Sequence, residues 1–253
     1  MLQAVADGRV FVERSGDEPP QVIGLHGWGR NRSDLLPALR GSALHDRAYA
    51  SLDLPGFGHS PEPPPGIGAR EYAEIVRTVL TEVAAGPCVL AGHSFGGRVA
   101  LCLAAESPDL VRGLVLTGVP LIRLQPPGKP KLSYRVGRSM HRHGLLSDDR
   151  MEALRQKYGS TDYRAASPVM RTVLVKVVAE SYDDELRRLQ CPTTLVWGAQ
   201  DTVVPVSVAE AAAAIAPNAD LEVIPDGGHD VPLTHPDAIA SACRTQLATG
   251  ATH

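Results

Sequence analysis

The sequence predicts an α/β protein: a mostly parallel central sheet, flanked by helices on both faces and interrupted by an inserted helical stretch. Three observations predict it. Short apolar runs that end in glycine or proline alternate along the chain with runs of helical spacing, the rhythm of a parallel sheet covered on both sides. That rhythm stops between about residues 121 and 185, where no strand is evident. The stretch "LAGHSFGGRVAL", Leu90 to Leu101, then joins an apolar run to a helical one through three glycines, a histidine and a serine. A chain of 253 residues fits one large domain, or one domain carrying a smaller insert.

The elements follow in order. "RVFVERSG" alternates and then turns, as an early hairpin strand does. "QVIGLHGWG" is a second strand, and "AYASLDLPGFG" a third that ends at the Pro55-Gly56 turn signal. "PEPPPGIG" is a loop, since its prolines lack the N–H a ladder needs. Tyr72, Ile75, Val76, Val79, Leu80 and Val83 recur at helical spacing. "CVLA" and "VRGLVLTGV" are buried strands. In the interrupted region, "SDDRMEALRQKYG" is a helix capped by Ser147, with acids in its first turn. "SPVMRTVLVKVVAES" is another, with Ser167 as N-cap and Pro168 at its first position. "TTLVWG" and "DLEVIP" resume the strands; "VSVAEAAAAIA" and "HPDAIASACRTQLA" are helices.

Composition narrows the classes. The chain is 43% hydrophobic and 21% charged, with a formal net charge of -3, which argues against nucleic acid as a partner. Cys88, Cys102, Cys191 and Cys243 match no zinc or CxxC spacing and read as reduced thiols. No metal, cofactor or dinucleotide fingerprint is evident. The N-terminal stretch lacks the basic start and apolar core of a signal peptide, and no apolar run is long enough to span a membrane. A cytoplasmic protein without a membrane partner is the expectation; the oligomeric state is not legible.

The serine in "GHSFG" carries the chemistry. A strand that reverses at once into a helix needs a tight turn, and Gly92 and Gly96 let the two backbones approach. Ser94 is then held out at the carboxyl end of a central strand, where open α/β sheets bind ligands. A serine nucleophile needs a base, and the base an orienting acid, in the chain order Ser, acid, His. Asp201 in "WGAQDTVVP" and His229 in "IPDGGHDVPL" both follow predicted strands and satisfy that order. Asp226 and Asp230 also lie near His229, but in its own loop, so Asp201 is preferred. His93 reads as pocket-lining or packing, because adjacent elbow residues point apart. The backbone N–H of Phe95 and of Trp28, in the loop "HGWG", are the expected oxyanion donors, with His26 fixing that loop by hydrogen bonds.

With "LHGWG", "LDLPGFGHS", "GHSFGG", "WGAQD" and "GGHD" in this order, the chain resembles the α/β-hydrolase superfamily along almost its whole length. The resemblance implies the α/β-hydrolase fold, a Ser94–Asp201–His229 triad that works without a metal or cofactor, and a helical cap. Core residues 1–120 and 186–253 then enclose a cap at 121–185. "HGWGRN" with "DLPGFGHS" is similar to bacterial carboxylesterases that cleave pimeloyl-[acyl-carrier protein] methyl ester, although His93 stands where those enzymes tend to carry a tryptophan.

The expected activity is hydrolysis of a carboxylic ester, thioester or lactone through an acyl-enzyme on Ser94. A cofactor-free lyase or oxygenase, a carbon–carbon bond hydrolase, and a triad-retaining ligand sensor remain open on the same scaffold. In the cap, Val169, Met170, Val173, Leu174, Val177 and Val178 recur along one side of a helix; most pack on the sheet, and Met170 and Leu174 are candidates for an apolar acyl pocket. Arg112, Arg123, Lys129, Lys131, Arg135, Arg138 and Arg142 fall in a stretch without Asp or Glu. Such a run is usually a solvated face. It also suits a small-molecule ester with a distal negative charge, or one bound to an acidic carrier protein, with Arg138 and Arg142 as contacts.

Overall fold

The computed structural model describes residues 1–124 and 132–249, except for the side chain of Leu132; Lys129 and Lys131 of the basic run lie outside the described residues. The strands are β1 (Leu2–Val5), β2 (Val10–Arg14), β3 (Val22–Leu25), β4 (Tyr49–Asp53), β5 (Cys88–His93), β6 (Val111–Thr117), β7 (Thr193–Gly198) and β8 (Ala219–Ile224). They form one sheet in the order β1-β2-β4-β3-β5-β6-β7-β8. The β1–β2 and β2–β4 pairs are antiparallel, and the rest are parallel. The turn expected after "RVFVERSG" does not close its hairpin; the hairpin lies before it, with β1 as partner and a turn through Ala6, Asp7 and Gly8 at positive φ.

The helices are α1 (Leu36–Leu39), α2 (Ala69–Val83), α3 (Phe95–Glu106), α4 (Leu132–Arg142), α5 (Asp148–Tyr158), α6 (Thr161–Ala165), α7 (Pro168–Ala179), α8 (Asp183–Arg188), α9 (Val206–Ala213), α10 (Val231–Thr234) and α11 (Pro236–Thr249). Two apolar clusters cover the sheet. One carries α2, α3 and α9; the other carries α1 and α11. The apolar stripe of α2 buries Tyr72, Val76, Val79 and Leu80, each worth about 1.5–3 kcal/mol relative to exposure. Every residue of β5 is buried, as the middle strand of a doubly covered sheet requires.

Helices α4 to α8 occupy the chain between β6 and β7. Ser167 caps α7 by accepting from the Met170 N–H, and Pro168 follows it at the first helical position. Ser147 stands at the N-cap of α5, but its hydroxyl makes no capping bond there. Of the apolar run in α7, Met170, Val173 and Val177 face the core, Leu174 is half-buried and Val178 is exposed. The run is two-sided because Val175 and Val178 lie on the face turned from the sheet.

Candidate active site

Ser94 links β5 to α3 with φ 47° and ψ -108°. This conformation is rare for a residue with a side chain and persists only where the surroundings over-determine it. Here the Ser94 N–H donates to the Thr117 carbonyl of β6 (2.9 Å), and the Gly96 N–H donates to the His26 carbonyl (3.0 Å). A Cβ on Gly92 would lie 2.5 Å from the Gly97 Cα, and one on Gly96 would collide with the Leu25 carbonyl oxygen. The glycines of "GHSFGG" therefore exist for backbone contact, and the half-buried serine is left at the tip. Behind it, α3 directs the positive end of its dipole to the same point.

The loop after β3 runs beside the elbow. His26 is fully buried. Its Nε2 accepts from the Leu54 N–H (3.0 Å), so its proton is on Nδ1, which donates to the Gly27 carbonyl (2.7 Å). Burial pushes this ring below the usual histidine value. His26 thus serves as a neutral bracket for the loop. The Trp28 and Phe95 N–H groups make no hydrogen bond among the described residues and are free for an acceptor. The Trp28 ring packs near edge-on against Phe57 and Phe95, at 5.1 Å and 5.4 Å between centroids, which gives the site an aromatic wall.

His229 lies in the loop between β8 and α10, and its Nδ1 is 2.8 Å from Asp201 Oδ2. The other Asp201 oxygen accepts from the Val203 and Val204 N–H groups, both at 2.8 Å. Burial alone would raise the Asp201 pKa. The His229 hydrogen bond and the two N–H groups outweigh it and hold the carboxyl below the usual carboxylate range. Asp226 pairs with His235, and Asp230 with Arg30, so neither is a partner of the His229 ring. Gly118, one residue beyond the Thr117 that binds Ser94, has φ +59°, and a Cβ there would lie 2.9 Å from His229 Cε1. The histidine ring therefore rests against the strand end that also holds the elbow.

The remaining expected site residues separate. Met170 is buried; its sulfur lies 4.0 Å from the Tyr72 hydroxyl, and the Tyr72 ring packs edge-on against Phe95 at 5.0 Å. Arg138 and Arg142 are exposed on α4. They line a cleft of about 410 Å³ with Arg135, Val136 and Ser139. Arg138 also borders a cleft of about 500 Å³ with Pro168, Arg171, Thr172 and Val175 of α7. Those four residues lie opposite Met170, Val173 and Val177 on the helix. The structure thus places Arg138 across α7 from Met170. His93 is 1% exposed, with both ring nitrogens hydrogen-bonded to protein, and offers no ring nitrogen to a ligand. Sequence reasoning missed Asp34, Arg30 and Gly118. Asp34 and Arg30 bind across loops, and only their position in "RNRSD", directly after "HGWG", pointed at them.

All four cysteines are buried and free. Burial pushes the Cys88 and Cys191 thiols up to about 11 and Cys243 to about 12, which removes them as nucleophiles near neutrality. Among the described residues, no group of three or more His, Cys, Asp and Glu side chains could hold a metal ion, and no helix is long and apolar enough to cross a membrane.

The chain is similar to several known proteins. The pimeloyl-[acyl-carrier protein] methyl ester esterase of Chromobacterium violaceum is 28% identical over 260 residues, covering 96% of this chain and 99% of that protein. The biotin biosynthesis bifunctional protein BioHC of Teredinibacter turnerae is 24% identical over 285 residues; the match covers 96% of this chain but only 48% of that longer protein. A thermophilic esterase from Thermogutta terrifontis superposes with a TM-score of 0.72 at 24% identity, over 100% of both chains, which is a likeness of fold. The model of the alpha/beta hydrolase family matches residues 22–242, a span that begins at β3 and takes in the elbow, the Asp201 loop and the His229 loop. With sheet order, elbow and match in agreement, the chain belongs to the alpha/beta hydrolase family.

Proposed function

We propose that the protein is a serine hydrolase that cleaves a carboxylic ester, thioester or lactone through an acyl-enzyme. The observation that carries this reading is Ser94 at φ 47° on the strand-to-helix elbow, held by Thr117, together with a His229 ring that is bonded to Asp201 and rests against Gly118, the residue after Thr117. Ser94 Oγ attacks the acyl carbon while His229 Nε2 takes its proton. Negative charge builds on the former carbonyl oxygen and is met by the Trp28 and Phe95 N–H groups and the α3 dipole; one such donor is typically worth about 10²–10³ in rate. His229, now doubly protonated and stabilised by Asp201, returns the proton to the leaving alcohol, thiol or ring oxygen. Water, deprotonated by His229, then attacks the acyl-enzyme and releases the carboxylic acid and free Ser94.

Met170, on the core side of the α7 cap helix, is the candidate floor of the acyl pocket; half-buried Leu174 is a weaker candidate. Arg135, Arg138 and Arg142 make no ion pair among the described residues. Arg138 borders the face of α7 opposite Met170, and Arg135 and Arg142 line an exposed cleft with it, an arrangement that suits an acidic carrier protein docking on the cap better than the acid end of a small ester. The curated relative from Chromobacterium violaceum is named for such a carrier-bound ester.

The test is turnover of p-nitrophenyl esters of increasing acyl length, with products identified as acid plus alcohol. Ser94→Ala should fold normally and lose about 10⁶ in kcat, the size expected for a lost triad nucleophile. Near-native turnover in that variant, or a product set without acid and alcohol, would remove the reading.

A further inference from the structure

His93 is the buried histidine that this mechanism does not use. It closes β5, one residue before Ser94, and its ring is wedged between the loop after β3 and the loop that carries His229. Its Nδ1 is 2.7 Å from Asp34 Oδ2, and its Nε2 is 3.1 Å from the His229 carbonyl oxygen. The two histidine rings are 5.0 Å apart between centroids. Gly27 leaves the room for this, since a Cβ there would lie 2.9 Å from His93 Nδ1.

The partners fix the direction of both bonds. A main-chain carbonyl only accepts. Asp34 also accepts from the Gly27 N–H (3.0 Å) and from Arg30 (3.0 Å), so it is a carboxylate. Burial opposes that charge, but the His93, Gly27 and Arg30 contacts outweigh it and keep the Asp34 pKa below its usual value. Only a ring with a proton on each nitrogen can donate to both acceptors. His93 is thus a two-armed donor, with one arm on the Asp34 side chain and one on the main chain of His229.

The second arm matters because His229 has little else to hold its backbone. Among the described residues its main chain makes no other hydrogen bond. The next residue, Asp230, is held by Arg30 (2.5 Å), and Arg30 is itself held by Asp34. One buried carboxylate therefore anchors the oxyanion loop through Gly27, the elbow through His93, and the His229 loop through His93 and Arg30. We infer that His93 is a positioning residue for the reaction: its Nε2–H holds the His229 carbonyl and thereby sets the base against Ser94. This rests on the triad proposed above.

Two amide variants separate the arms. Asn places its amide nitrogen where Nδ1 lies, keeping the Asp34 bond and losing the His229 bond; Gln reaches the Nε2 position and does the reverse. The expected result for His93→Asn is a fall in kcat on the order of 10²-fold, the scale of a catalytic group misplaced by about 1 Å, with KM within about two-fold. His93→Gln should recover most of that loss. Packing alone would give the reverse order or equal losses, and either overturns the inference, as does wild-type kcat in His93→Asn. ¹⁵N spectra of the resting wild-type enzyme test it without a variant: both His93 ring nitrogens should carry protons, and a single N–H overturns it. Ser94→Ala is the control. Its inactivity beside a fully active His93→Asn sinks only this inference, whereas activity surviving in Ser94→Ala sinks the triad and the inference together.

Discussion

Gly118→Ala puts a methyl group against the ring of His229, and the structure sizes the effect. The new Cβ would lie 2.9 Å from Cε1 and 3.0 Å from Nδ1. Ordinary contact needs about 3.4–4 Å, so the ring must retreat by about 0.5 Å. If a 1 Å misplacement costs about 10²-fold, half of it costs about ten-fold in kcat. The backbone adds a separate penalty, since φ +59° disfavours an L side chain by about 1–2 kcal/mol. For a domain of this size that is a fall in Tm of about 2–8 °C. Gly8→Ala is the control for that second term: Gly8 also has positive φ, at +78°, and nothing within 4 Å of its would-be Cβ. The assay is kcat and KM on a short p-nitrophenyl ester, with thermal unfolding of both variants. Gly118→Ala should lose both rate and stability, and Gly8→Ala stability alone. Equal kcat in the two variants would refute the placement of His229 against Gly118.

Asp201→Asn should lower kcat/KM by about 10⁴-fold, as when a triad carboxylate becomes an amide, while Asp226→Asn stays near wild type; a crippled Asp226→Asn instead would reassign the acid. Stability should decline with acid in two stages, read as Tm from pH 8 to pH 3. The unfolded His26 ring takes a proton near ~6.5 while burial keeps the folded ring neutral, so Tm should begin to fall below about that pH. Burial opposes the charges of Asp34, Asp53 and Asp201, yet their hydrogen bonds and ion pairs hold all three below the usual range; their contribution is complete above ~4 and is lost as pH falls further. A Tm that rises from pH 7 to pH 5 would contradict this. Replacing Arg138 and Arg142 by Gln should reduce kcat/KM for an ester on an acidic carrier protein and leave a small neutral ester unchanged; equal effects on both would return these arginines to a solvated face.

The parts of the site that were legible in the sequence are those that depend on local backbone chemistry. "GHSFGG" encodes its own turn, because the glycines are demanded by contacts with the next turn of helix and with β3. "WGAQD" and "GGHD" could be placed because each follows an apolar strand. The β1 strand was illegible because "LQAV" is short and lies at the sheet edge, where pairing rather than burial defines it. The role of His93 was illegible for a different reason. Its partners come from residues 34 and 229, and nothing in their spacing shows that one ring spans both. Arg138 failed to join the apolar residues of α7 because the helix has two faces, a matter of how α7 packs rather than of its periodicity.

The central claim is a covalent intermediate on Ser94, and intact-mass analysis after reaction with a fluorophosphonate ester tests it most directly. The account predicts one phosphonyl group per chain, mapped by peptide sequencing to Ser94 in "GHSFGG", no labelling of Ser94→Ala, and slow labelling of Asp201→Asn. An unmodified mass while ester turnover continues, or an adduct mapped to any other residue, would contradict it.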